Sequence, residues 1–222
     1  MKRRLLLQSA LASLSIPAAT WAQGGPQMPD LSRYALGPLP PEFRTEWRTG
    51  QGAIGDWRVV ADTSAFHGKA IEQSSTDGTD NRYPLAVYEP LVGQDLNATV
   101  RFKAVAGKVD RAGGLAVRLV DADNYYLVRA NALEDNVNFY RVVNGRRQQI
   151  KSAAVKVSSG EWHTINLDAR GATFRVTFES KLLFTAEDHT FAGPGKVALW
   201  TKADSVTRFD HLQIIPHHQD PV

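Results

Sequence analysis

Between Leu96 and Ile215 several runs alternate apolar and polar residues, the pattern of strands buried on one side only. Val100 and Phe102 stand against Arg101 and Lys103. Ile165 and Leu167 sit among polar neighbours. Phe174, Val176 and Phe178 alternate with Thr173, Arg175, Thr177 and Glu179, and residues 197–202 and 206–215 continue the series. Turn-forming residues punctuate the runs: Asn144-Gly145, Arg170-Gly171, Glu179-Ser180-Lys181 and Pro194-Gly195. No stretch after the first 22 residues has helical periodicity. About a dozen short strands in one domain predict an all-β, two-sheet antiparallel sandwich rather than a small barrel.

Residues 113–152 fix a register. Gly113–Val120 and Tyr125–Asn131 can pair across Asp121-Ala122-Asp123-Asn124, Asn136–Val143 pairs back, and Arg146–Ser152 follows the Asn144-Gly145 turn. Leu115, Val117, Leu119, Tyr126, Val128, Ala130, Val137, Phe139 and Ile150 then share one face. Arg118, Tyr125, Arg129, Asn131, Asn136, Asn138, Tyr140, Gln149 and Lys151 share the other. A slip of one residue would mix the two sets, so their separation supports the register. Arg141 and Gln148 fall on the apolar side, which places them at a sheet edge or end.

The ends read differently. Lys2-Arg3-Arg4, an apolar stretch to Ala19 and the small-residue site Thr20-Trp21-Ala22 form an export signal over residues 1–22. Its route is either twin-arginine or ordinary secretory, and both imply a periplasmic or secreted protein. Residues 23–41, rich in Gly and Pro, read as a linker. Residues 42–216 form the domain and residues 217–222 a polar tail. The basic balance of the whole chain, 26 basic against 23 acidic residues, comes from the signal, and the remainder carries no net charge. That excludes the strongly basic surface that nucleic-acid binding requires. With no cysteine there is no disulfide, thiolate metal site or cysteine nucleophile. No apolar run after the signal is long enough for a membrane-spanning helix.

Asp121–Asn136, Gly160-Glu161-Trp162-His163 and Gly195–Asp210 resemble a group of bacterial exported domains near the laminin G-like and 3-keto-disaccharide hydrolase families. The likeness covers roughly Phe43 to Ile215. It implies a concanavalin A-like jelly roll, a fold that hosts glycan binders, sugar hydrolases and purely structural domains. The family 16 glycoside hydrolases of this fold carry Glu-x-Asp-x-x-Glu on one strand, and that pattern is absent here. Glu134-Asp135 and Glu187-Asp188 are adjacent pairs that would point to opposite faces of a strand. If the hydrolase likeness holds, Glu134 and Asp210 are the first carboxylates to test.

The polar sheet face is the leading candidate site. A sugar offers apolar C–H faces and in-plane hydroxyls, matched by aromatic rings beside planar Arg and Asn groups. Arg118, Tyr125, Arg129, Asn131, Asn138 and Tyr140 meet that description, with Trp200 and Lys202 joining from a neighbouring strand. The excess of basic groups points to an anionic glycan, and no cofactor is implied. The plainer reading is a solvated face with ordinary cross-strand pairs. Asp121, Asp123 and Asn124 suggest calcium or, more simply, a turn. Gly50–Gly55 spells a dinucleotide fingerprint but precedes a strand, so it reads as a glycine turn. Trp47, Trp57 and Trp162 read as core, His163 has no evident nucleophile to serve, and His217-His218 belong to the tail. A hydrolase and a protein-interaction domain remain the alternatives to a glycan binder.

Overall fold

The alternating segments all become strands. The structure of the chain, a computed structural model, describes residues 25–217; the expected export signal over residues 1–22, with residues 23–24 and the tail from 218, lies outside the described residues. The strands are β1 (Gly37–Pro38), β2 (Phe43–Arg44), β3 (Arg48–Gly50), β4 (Trp57–Ala61), β5 (Lys69–Gln73), β6 (Arg82–Gly93), β7 (Leu96–Ala106), β8 (Ala112–Asp121), β9 (Asn124–Asn131), β10 (Asn136–Val143), β11 (Arg146–Ala154), β12 (Trp162–Arg170), β13 (Thr173–Phe178), β14 (Lys181–Glu187), β15 (Gly195–Trp200) and β16 (Val206–Pro216). One sheet runs β1-β4-β5-β16-β7-β12-β13-β14. The other runs β11-β10-β9-β8-β15-β6-β2, with β3 also paired to β6. Every pairing is antiparallel, and the inner faces close on one core that includes Phe102, Leu115, Tyr126, Phe139, Leu167 and Phe174. The expected two-sheet sandwich is therefore the observed fold.

The register over residues 113–152 matches the expectation through most of its length. Leu115 pairs with Val128, Val128 with Phe139, and Ala130 with Val137. Leu115, Val117, Tyr126, Val128, Ala130, Val137 and Phe139 all enter the core, and Ile150 packs against it. Arg141 and Gln148 meet at the sheet edge, 2.9 Å apart, and Arg141 also reaches Asp188 at 2.8 Å.

Two bulges correct the rest. In β8 the pairing shifts between Val117 and Asp121, and Arg118 adopts a left-handed backbone with φ 48°. An inserted residue changes which side every later side chain takes. Leu119 therefore lies on the outer face, and Arg118 turns away from Arg129. Its guanidinium lies 5.0 Å from the Phe174 ring and 6.0 Å from Tyr126. It donates to the carbonyls of Gln94, Phe191 and Gly171 at 2.8, 2.8 and 2.6 Å and pairs with Asp95 at 3.1 Å. The left-handed backbone costs on the order of 1–2 kcal/mol, and these charge-assisted bonds offset it. Gly195 completes the arrangement, because a Cβ there would sit 2.3 Å from the Arg118 carbonyl carbon. The second bulge, beside Phe139 and Tyr140, sends Lys151 to the Thr185 carbonyl of the opposite sheet instead of the outer face.

The Gly/Pro-rich segment is also more ordered than a linker. Gln27 pairs with Ile214, Leu31 is buried in the core, and Gly37–Pro38 form an edge strand on β4. An edge position tolerates Pro38 because no ladder donor is required there. Gly50 and Gly52, with φ 77° and 82°, turn the chain into β4, not into a helix. Trp57 is core, whereas Trp47 packs on the outer side of the second sheet. Trp162 departs from the expected core role: it lies on the outer side of the first sheet, half-buried beneath Arg101 and Lys103. His163 bridges Glu179 and the Ser158 carbonyl, and His217 is tied to Asp168.

Arg118→Ala should lower unfolding free energy by about 2–4 kcal/mol, because it strands buried carbonyls. Phe139→Ala should cost about 3–5 kcal/mol through its cavity. Urea unfolding checks both.

Candidate functional site

The register carries six of the eight expected site residues to the outer face of the second sheet. Asn138 opposes Arg129, Arg129 opposes Gly114, and Gly114 opposes Trp200, so one row crosses four strands. The next row holds Tyr140, Leu127, Ala116 and Ala198. Tyr125 and Asn131 lie on the same face, at the two ends of β9. Lys202 reaches in from just beyond β15. Arg118 is absent from this face for the reason given above.

This face is not simply wet. Tyr83, Leu85, Val87, Leu127, Tyr140 and Trp200 belong to a second, smaller apolar cluster on it. Trp47 packs against the cluster, and the Thr49 hydroxyl meets Tyr125 Oη at 2.8 Å and the Ala122 carbonyl. Trp200 Nε1 donates to the same Tyr125 Oη at 3.3 Å. Tyr125 and Trp200 are 0% exposed. Neither can be the open stacking platform that the alternation suggested; they form the floor beneath one. The covering strand β3 comes from a part of the chain whose pairing with β6 no local pattern announces.

What tops the floor is Arg147, which was not among the expected residues. It opposes Val142 across the β10–β11 hairpin. Its guanidinium lies 4.5 Å from the Tyr140 ring centroid, 5.1 Å from Tyr83 and 5.9 Å from Trp200. Such cation–π contacts contribute about 0.5–2 kcal/mol each, more when shielded from water. Its side chain is half-buried, and Nη1 lacks a hydrogen-bond partner among the described residues. Strand parity with Gln149 was the signal that could have found it. Tyr83 had no such signal.

Beside the aromatic floor is a polar end. Arg129 Nη2 donates to Glu134 and to Tyr140 Oη, each at 2.9 Å, while its Nε and Nη1 are buried without partners among the described residues. The Asn138 amide bridges Tyr140 Oη and Ser152 Oγ at 2.8 and 2.6 Å. Asp110 accepts from Asn131 Nδ2 and the Arg111 amide, each at 2.9 Å, and meets Lys202 at 3.0 Å; Lys202 also holds Asp80 at 2.7 Å. Burial pushes the Asp110 carboxyl above the usual range, and Lys202 only partly opposes it. Burial also acts to raise Glu134, but hydrogen bonds from Arg129 and Asn136 prevail and hold it below the usual range. Asn131 and Asp110 are thus engaged in holding the turn and Lys202, so they position the site rather than face a ligand.

The other carboxylates stand apart. Glu134 belongs to the β9–β10 turn of the second sheet and Asp210 to β16 of the first, so they cannot flank one glycosidic bond. Asp121 accepts from the Asp123 amide at 2.8 Å and from Asn124 at 2.9 Å, which is a self-bonded turn. Among the described residues no three His, Asp or Glu side chains gather as metal ligands.

No protein-family model and no curated protein sequence matches the chain. Solved structures do. A carbohydrate binding module, CBM66, from Bacillus subtilis is 21% identical, with a TM-score of 0.61 over 78% of this chain and 95% of that one. A β-glucanase from Bacillus licheniformis is 14% identical, with a TM-score of 0.58 over 88% of this chain and 99% of that one. A Bacillus subtilis protein of unknown function with a galectin-like fold is 9% identical, with a TM-score of 0.56 over 79% and 91%. At such identities the likeness establishes the fold, a concanavalin A-like jelly roll, and not the activity.

Because folding raises the Asp110 pKa, the stability this group contributes is complete below its unfolded value of about 3.9 and is lost as pH rises through the folded value. Relative to Asp110→Asn, the unsubstituted chain should therefore lose stability as pH climbs from about 4. Urea midpoints of both proteins across that range provide the check; a gap that moves in the unsubstituted chain's favour with rising pH contradicts the assignment.

Proposed function

We propose that the chain is an exported glycan-binding domain, and that the ligand lies over Arg147 on the outer face of the second sheet. The observation that carries this reading is the Arg147 guanidinium, spread over Tyr140, Tyr83 and Trp200 with no salt bridge to a carboxylate among the described residues. Other cations of this face, Arg129 and Lys202, are already joined to Glu134, Asp110 and Asp80. A charge held on aromatic rings, with planar donors left over, suits a hydroxyl pair or a carboxylate on a sugar. The uncompensated charge favours an acidic sugar over a neutral one. Binding is noncovalent: Arg147 donates hydrogen bonds, the half-buried Trp47 meets C–H faces, and Glu134 and Gln149 border the ligand. A carbohydrate binding module among the structural neighbours is consistent with this use of the fold. A hydrolase reading lacks a facing pair of carboxylates, since Asp110 is buried beneath Lys202 and Glu134 is tied to Arg129.

The test is retention on immobilised polyuronate and neutral glucan, with product analysis on the same samples. The polyuronate should be bound more tightly and left uncleaved. Arg147→Ala should weaken it about tenfold or more, the loss of one charge-assisted contact. Arg118→Met, on the other side of the sheet, should leave binding unchanged in the folded fraction. Equal binding by Arg147→Ala and the unsubstituted chain would remove the proposal.

A further inference from the structure

The first sheet contains a gap of its own. β16 pairs with β5 only through Phe209, and its next partner on that side is Gln27, opposite Ile214. Between them the strand bulges: its pairing with β7 shifts between Asp210 and Gln213, and His211 takes a left-handed φ of 49°. A cavity of about 200 Å³ opens there, between the bulge, the 28–31 segment and the Phe66–Lys69 turn. It is distinct from the Arg147 face, which belongs to the other sheet.

Its lining is mostly apolar with a few inward polar groups, the composition of a small-molecule site. Met28, Pro29, Leu31 and Phe66 supply the apolar part. Phe66 is 47% exposed, although its ring is fixed edge-on against His67 at 4.5 Å and His211 at 4.7 Å. Asp210 is only 3% exposed. Its Oδ2 accepts the Phe66 amide at 2.7 Å, whereas Oδ1 has no hydrogen bond and only the Arg101 guanidinium 3.5 Å away. His211 Nδ1 is likewise buried without a hydrogen bond among the described residues. Leaving such groups unpaired in a native fold is costly, and a ligand that pairs them recovers that cost.

The chemistry of the walls selects the ligand. Arg101 beside Asp210, with Lys69 donating to the Ser32 and Tyr34 carbonyls at 3.0 and 2.6 Å, already balances the carboxylate against a further cation. Asp210 and Asp30 oppose an anion. A neutral ring with one apolar face and neighbouring hydroxyls suits these walls: C–H groups against Phe66 and Leu31, and hydroxyls toward the Asp210 and His211 side chains that line the cavity. The cavity, at about 200 Å³, is larger than the roughly 150 Å³ that encloses a benzene ring. We infer that this cavity is a second binding site, for a single neutral sugar ring, built by Phe66, Asp210 and His211. The inference does not depend on the Arg147 reading.

The experiment follows the His67 and His211 side-chain resonances by NMR while the full chain is titrated separately with glucose, galactose, mannose, fructose and xylose. Glucosamine and glucuronate serve as the charged counterparts. At least one neutral sugar should shift both histidines saturably. Phe66→Ala, a change at an exposed residue, and Asp210→Asn should each weaken that sugar about tenfold. Arg147→Ala should leave it unchanged, so failure of one site is distinguishable from failure of the other. No saturable shift with any neutral sugar, tighter binding of glucosamine or glucuronate, or full binding by Phe66→Ala would each overturn the assignment. If Asp210→Asn fails to fold, the Phe66→Ala result decides.

Discussion

A β-strand can give only alternate residues to one side, so each inserted residue reassigns the side of every side chain beyond it in that strand. The second sheet depends on this constraint. Three strands, β8 as far as Val117 with β9 and β10, keep one register that puts Leu115, Val128 and Phe139 into the core and Arg129, Asn138 and Tyr140 outside it. One bulge in β8 then removes Arg118 from the outer set and gives it a different task, joining the Gln94, Gly171 and Phe191 carbonyls beside the core rings. A guanidinium with its donors taken up in this way fastens loops together and has little left to offer a ligand.

The outer face gains its character from being covered. An open antiparallel sheet would present polar side chains to water on this side. Here Leu85, Leu127 and Trp200 lie there instead, shielded by Trp47, Thr49 and Arg147. Arg147 can do this because a planar, weakly hydrated cation rests on aromatic rings with a smaller desolvation penalty than an ammonium. Its position follows from the tight Asn144-Gly145 turn, where both residues have positive φ. That turn fixes the hairpin and returns Arg147 over Tyr140.

Polar groups on the two sheets fall into two kinds. Asp204 gathers the Lys108, Val109 and Asp110 amides, and Asp188 takes Tyr126 Oη and Arg141; both are satisfied and serve the fold. Arg147 Nη1, Asp210 Oδ1 and His211 Nδ1 are buried and lack a hydrogen bond among the described residues. Satisfied groups explain themselves through stability. Unpaired ones at the mouth of a face or cavity are where recognition chemistry has room.

The sequence alone determined the sandwich, the β8–β10 register as far as Val117 and the common face of Arg129, Asn138 and Tyr140, because period-two alternation is local and suffices for each. It also indicated that Gly50–Gly55 leads into a strand. Only the tertiary structure decided that Tyr125 and Trp200 are floor and not platform, since β3 arrives from far along the chain to cover them. It decided as well that the Gly/Pro-rich segment packs, that Trp162 faces outward, and that Glu134 and Asp210 lie on separate sheets. Bulges and long-range strand pairings set those outcomes. They depend on how one strand's backbone meets another's, which alternation within a single segment does not encode.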